Sequence, residues 1–258
     1  MRLQTGLVVA ACLAAVSAFA TASQDAATLR VSGTIIVEGG APIAGARIRT
    51  DALRGEMARP FGGQREFRAT ANQAGEWSLI GLTRGLWVLE VTAPDFLPHV
   101  VIVPISMMLK PEPVAWETTL GLLPLSAVVP PDAPKNAPEL YIQDAAEKAM
   151  GGDLKAARQS LQKLTGASLN AGGLVSSGDI ALLVRDPQMA RRFFELAASA
   201  EPKWYRPQLG IASAAMVTFD VDRAMKAYAA ARANTNNKKM EVMLSTTIKD
   251  LQQIRDGR

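Results

Sequence analysis

Apolar positions along the chain follow two different rhythms. From Leu29 to about Leu122 they recur every second residue: Val31, Gly33, Ile35 and Val37 share one face, as do Trp77 with Leu79, and Trp87 with Leu89 and Val91. Glycine-rich turns such as Glu38–Pro42 and Gly81–Gly85 separate these runs. Short alternating runs at that spacing predict strands of a small antiparallel β-sandwich over residues 28–122. Val101, Val103 and Ile105 continue the alternation, and Pro104 among them marks an edge strand or a bulge, since proline has no N–H to give to a ladder. The stretch 51–69 between two runs reads as a long loop.

Beyond residue 139 the spacing becomes helical. Glu139–Met150 is the first predicted helix, Gly151-Gly152-Asp153 breaks it, and Leu154–Leu164 is the second, with Ala157, Leu161 and Leu164 on one face. Ala190, Phe194 and Ala197 then recur as Ala224, Tyr228 and Ala231, each 34 positions on, and Gly178 returns as Ala212 at the same offset. Ala157 precedes Ala190 by nearly the same step. A period near 34 residues is that of a helix–turn–helix unit, which buries its apolar face only by stacking on a neighbour. Three such units are expected, closed by a cap helix over Lys238–Arg255 with Met240, Met243, Leu244, Ile248 and Leu251 inward. Between the two regimes, residues 123–138 carry Pro124, Pro130, Pro131, Pro134 and Pro138. Such a segment is expected to be an extended, semi-rigid linker that keeps two domains apart. The fold class is therefore two-domain, all-β then all-α: 28–122 sandwich, 123–138 linker, 139–258 helical repeats.

Two resemblances sharpen this. The run G-T-I-I-V-E-G-G-A-P-I-A-G-A-R-I, followed by T-A-N-Q-A-G-E-W-S-L-I-G-L-T-R-G-L-W-V-L-E-V-T-A-P-D-F, resembles the carboxypeptidase regulatory-like domain, a transthyretin-like sandwich grouped with carbohydrate-binding-like folds. The resemblance spans Arg30 to about Val103. It departs at Trp77 and Trp87, where the family usually carries Phe and Tyr, and in the long loop. The helical half resembles the tetratricopeptide repeat: Gly178, Ala190, Phe194, Ala197 and Pro202 fall on that family's small, small, aromatic, small and proline positions. The third unit keeps Ala212, Ala224, Tyr228 and Ala231 but has Asn236 for the proline.

Chemistry is sparse. His99 is the sole histidine and Cys12 the sole cysteine, so zinc sites of several histidines or thiolates cannot be assembled and no disulfide can form. No nucleophile motif flanks His99, which is expected to be structural or at the surface, and neither an enzyme nor a cofactor is expected. Arg2, the apolar run Leu7–Phe19 and Ala20-Thr21-Ala22 read as a secretory signal over residues 1–22. Val9-Ala10-Ala11-Cys12 matches a lipoprotein box in residue type but stands too early in the run. The expectation is an exported chain, periplasmic or outer-envelope associated, with no membrane span after cleavage. The formal charge of +4 forms no basic stripe, which argues against nucleic acid.

Two binding surfaces remain as candidates. The resemblance to tetratricopeptide repeats implies a concave groove lined by the first helix of each unit: Ile142, Val175, Asp179, Leu182, Leu209, Ser213 and Met216. That set is mostly apolar and suits an extended or helical protein segment. The second candidate is the loop with Arg54, Arg59, Phe61, Arg65 and Phe67, whose alternating arginine and phenylalanine suit a glycan or an acidic surface. Against that stands a solvated excursion without a ligand. The leading expectation is a non-catalytic scaffold binding a protein partner in the bacterial envelope; the alternative is a carbohydrate-binding module.

Overall fold

The computed structural model describes residues 29–53, 66–82, 85–105 and 115–256. The segment expected as a signal lies outside them, as do Arg54, Arg59, Phe61 and Arg65 of the candidate loop.

Among the described residues seven strands come first: β1 Leu29–Val37, β2 Arg47–Ala52, β3 Phe67–Thr70, β4 Glu76–Leu82, β5 Gly85–Thr92, β6 His99–Ile105 and β7 Ala115–Leu122. They form two sheets, ordered β4-β1-β7 and β3-β2-β5-β6. Pairing is antiparallel except between β1 and β7, which run parallel. The alternating residues do what their period requires: Val31, Ile35, Trp77, Leu79, Leu89 and Val91 are all buried between the sheets. Gly33 sits where β1 and β7 press together, and a Cβ there would fall onto the Thr118 carbonyl. Gly75 has a φ of 72°, a conformation that favours glycine, and its hydrogen faces the Ile35 carbonyl.

Eight described helices follow: α1 Leu125–Val128, α2 Glu139–Met150, α3 Leu154–Gln162, α4 Ala171–Leu183, α5 Pro187–Ala200, α6 Tyr205–Val217, α7 Val221–Asn234 and α8 Lys238–Arg255. The repeat is visible in its turns. Each second helix is capped by an aspartate whose side chain accepts from a backbone N–H three residues on: Asp153 from Ala156, Asp186 from Met189 and Asp220 from Arg223. The residue before each cap has positive φ: Gly152 at 87°, Arg185 at 58° and Phe219 at 57°. Replacing Asp186 or Asp220 by alanine is expected to cost about 1 kcal/mol each, read as a fall in the denaturation midpoint. Serine at either position should recover most of the loss.

Phe194 of α5 packs between two glycines. A Cβ on Gly178 of α4 would lie 2.6 Å from the ring, and one on Gly210 of α6 would lie 2.4 Å from it. The aromatic position of the repeat is thus a wedge that three helices close around, possible only because two of them carry no side chain there.

The segment 123–138 does not hold two domains apart. It contains the short helix α1, and Val128, Val129 and Ala137 are buried. Val128 and Val129 share a core with Leu97 and Val100 of the β half and with Ile142, Leu174 and Val175 of the helices. A second core joins the sandwich interior to Leu209, Ala212, Met216 and Tyr228. Proline restricts the path of this segment without preventing it from packing, and apolar residues among the prolines supply the reason to pack. The two halves are one packed body.

Candidate functional site

The arrangement with the densest chemistry lies on the seam between the halves. Strand β6 is an edge strand, hydrogen-bonded to β5 on one side through the pairs Val91–His99, Leu89–Val101 and Trp87–Val103. The backbone groups of Val100 and Ile102 therefore point the other way, toward the helices. Three helices meet them with side chains. Asp179 Oδ1 of α4 accepts from Val100 N at 3.4 Å, Ser213 Oγ of α6 accepts from Ile102 N at 3.1 Å, and Tyr228 of α7 donates its hydroxyl to Ile102 O at 3.2 Å. The strand's open edge is thereby satisfied by side chains where another strand would otherwise pair.

This places most of the residues predicted for the groove. Val175, Asp179, Leu182, Leu209, Ser213 and Met216 are all buried, none more than 7 % exposed. Val175 and Leu182 share a core with Leu97 and Val100, whereas Leu209 and Met216 share one with the sandwich interior. The residues come together as a surface, but β6 of the same chain occupies it. The expectation of an open partner groove is corrected accordingly: helical periodicity identified the face but not its occupant.

Next to β6 the seam carries buried charge. Arg206, at 2 % exposure, donates through Nη2 to Asp179 Oδ2 at 2.8 Å, through Nη1 to Glu38 Oε2 at 3.0 Å, and also to the Gly121 carbonyl. Glu38 follows β1 and also accepts from Trp204 Nε1 at 3.2 Å. A side chain on Gly121 would collide with the Glu38 carboxylate, so that glycine makes room for the cluster. His99 is 4 % exposed, with Nδ1 at 3.2 Å from Asp179 Oδ2. Facing a carboxylate, Nδ1 carries the proton and donates. Two outer ion pairs also cross between the halves, Arg185 with Asp51 and Lys239 with Glu117.

The electrostatics follow from burial. Burial first, then the charge of Arg206, pushes the His99 pKa below its ordinary 6.5, outweighing the pull of Asp179 and Glu38. Burial alone would raise the Glu38 pKa, but Arg206 and Trp204 together hold it below its usual 4.5. Burial opposes the charge on Arg206 too, and Asp179 and Glu38 more than offset it. At neutral pH His99 is a neutral imidazole beside the Arg206 guanidinium, which lies between Asp179 and Glu38.

Such a set holds two layers together. The hydroxyl nearest to β6, on Ser213, is committed to Ile102, and Asp179 serves three donors. In a second polar cluster Lys148 donates to Asp144 at 2.7 Å and lies 3.2 Å from Ser160. Ser160 gives its hydroxyl to Asp144, whose pKa stays below the ordinary aspartate value through the hydrogen bonds from Lys148 and Ser160. Among the described residues no group of three or more His, Cys, Asp or Glu side chains could hold a metal ion. Phe67, taken in the sequence as part of the glycan loop, lies on β3 and packs edge-to-face on Trp87, with centroids 5.7 Å apart. The missed members are Glu38, His99 as a contact of Asp179, Trp204 and Arg206. Their signal was faint: Asp179 and Arg206 are each the one charged residue of their helix.

Fold and seam together define a two-part protein: a β-sandwich followed by tetratricopeptide-like helical repeats folded back on it. No family model matches the sequence, and no curated protein does. Among solved structures the helical half is similar to the TPR domain of Sgt2 from Aspergillus fumigatus, with 18% identity and a TM-score of 0.39 over 48% of this chain and 85% of that one. The chain is also similar to hydroxyquinol 1,2-dioxygenase from Pseudomonas putida DLL-E4, with 9% identity and a TM-score of 0.29 over 39% of this chain and 57% of that one. It is also similar to the major pilin SpaD from Corynebacterium diphtheriae, with 16% identity and a TM-score of 0.30 over 39% of this chain and 30% of that one. The chain thus spans less than two thirds of the dioxygenase and of the pilin. No described helix is long and apolar enough to cross a membrane.

Proposed function

We propose that this chain is an exported, non-catalytic interaction protein that binds a protein partner in the bacterial envelope. The observation that supports the reading is the use made of the polar side chains at the seam: Asp179, Ser213, Tyr228 and Arg206 are all spent on holding β6 and Glu38. With its polar groups committed to rigidity, the chain is a preformed body whose partner docks outside the concave face. The resemblance of the β half to carboxypeptidase regulatory-like domains, themselves accessory modules, fits the same reading.

Crosslinking of the full-length exported chain in envelope extract, followed by mass spectrometry, tests it. The expected result is a reproducible protein partner crosslinked through exposed residues and unchanged in the His99→Asn variant. Turnover of any substrate by the purified chain would overturn the reading. Retention on peptidoglycan or polysaccharide that disappears in an Arg59→Ala, Phe61→Ala variant, with no protein crosslink, would replace it with the glycan alternative.

A further inference from the structure

The buried cluster on the seam is short of acceptors. Both Asp179 oxygens are engaged, Oδ1 by Val100 N and Oδ2 by His99 and Arg206; both Glu38 oxygens are engaged, by Trp204 and Arg206; and the Gly121 carbonyl takes Arg206 as well. Even so, Arg206 Nε is buried with no partner. A neutral His99 satisfies this arrangement by donating once, from Nδ1. A protonated ring adds a second N–H and a full charge at a site where an existing donor already goes without.

The position of the residue gives that proton leverage. His99 begins β6, next to Val100, and its partner Asp179 is the side chain that also holds the Val100 amide. The groups facing it are Asp179 from α4, Arg206 from α6 and Glu38 from the turn after β1, with Tyr205 beside Glu38. Strand β5 contributes Val91 opposite His99 and no charge there.

We infer that the seam between the β-sandwich and the helical stack is an acid-released latch, with protonation of His99 as its trigger. Above the ordinary imidazole pKa the ring is neutral whether the seam is closed or open, and the latch holds fully. Below it, the open form takes up a proton that the closed form resists, since the closed-form pKa lies lower, and the seam weakens as pH falls. Release uncovers the β6 edge together with Asp179, Ser213 and Met216. Glu38 weakens the seam only at lower pH, below its ordinary 4.5, so the two groups act in separate windows.

Amide hydrogen exchange of the full chain, corrected for intrinsic rates, tests this between about pH 7.5 and about pH 5.5, a span that brackets the ordinary imidazole range. Protection at Val100 and Ile102 is expected to fall with acid, by at most about tenfold per pH unit for one proton. His99→Asn, which keeps a donor toward Asp179 and cannot be charged, should hold its protection flat. As the only histidine, His99 also gives a single imidazole signal in NMR, which should still be neutral where protection begins to fall, because the closed form takes its proton at lower pH than the open form. Unchanged protection in the wild type would overturn the latch, as would an equal fall in His99→Asn. If that variant does not fold, a wild-type imidazole signal that titrates at or above the ordinary 6.5 would overturn it equally, since the closed form would then not resist the proton.

Discussion

Asp179→Ala is expected to destabilise the whole chain by about 3–5 kcal/mol, because it leaves a buried guanidinium with only Glu38 opposite it and strips Val100 N of its acceptor. Equilibrium denaturation measures this, followed by far-ultraviolet circular dichroism for the helices and by tryptophan fluorescence. Both probes should report one coincident transition, because the apolar cores run across the seam. Asp179→Asn should lose less, since the amide oxygen still accepts. Adding Arg206→Met to Asp179→Ala should recover part of the loss, because the uncompensated charge is then gone. A cost under about 1 kcal/mol would contradict this account of the seam. So would two separate transitions.

Phe194→Ala is the second large effect, expected at about 3–5 kcal/mol from the cavity left between α4 and α6. The reverse error is instructive. Gly210→Ala puts a methyl 2.4 Å from the ring, and Gly178→Ala puts one at 2.6 Å; each should cost about 1–3 kcal/mol by overpacking. If the wedge is the cause, Phe194→Leu combined with Gly210→Ala should be more stable than the sum of the two single changes allows. Strict additivity in that cycle would show that the glycines do not answer to the phenylalanine.

The helical repeat was legible because it is written in packing residues at a fixed period. Ala190, Phe194 and Ala197 align with their counterparts without reference to anything outside the helices. Gly210 escaped notice because it has no glycine at the corresponding place in the unit before it, where Ser176 stands. It answers to Phe194 across the stack, and such pairing leaves no periodic trace. Most strands were legible for the same reason as the helices, down to Pro104 on an edge; β3, whose residues 67–69 fall in the stretch read as a loop, was not.

What covers that edge could not be read. Val100 and Ile102 alternate with Val101 and Val103, so β6 is apolar on both faces, which a sequence shows equally for a strand under a sheet and for one under helices. Prolines between 124 and 138 suggested separation because composition reports stiffness; Val128 and Val129 decide where a stiff segment comes to rest. Asp179 was named for the right helix face and the wrong neighbour. Its partner His99 is 80 positions earlier, and no local rule joins them.

The dependence of β6 on three helices also imposes an order of events on the ribosome. A chain emerges from its N-terminus, so every strand of the sandwich is in the open before Asp179, Ser213 or Tyr228 has been made. During that interval a run of Val-Val-Ile-Val has an unpaired edge, ready to join the same run on a neighbouring nascent chain. Truncation anywhere before α7 makes the interval permanent, and such fragments should accumulate as sheet-rich aggregates, whereas the full chain stays dispersed.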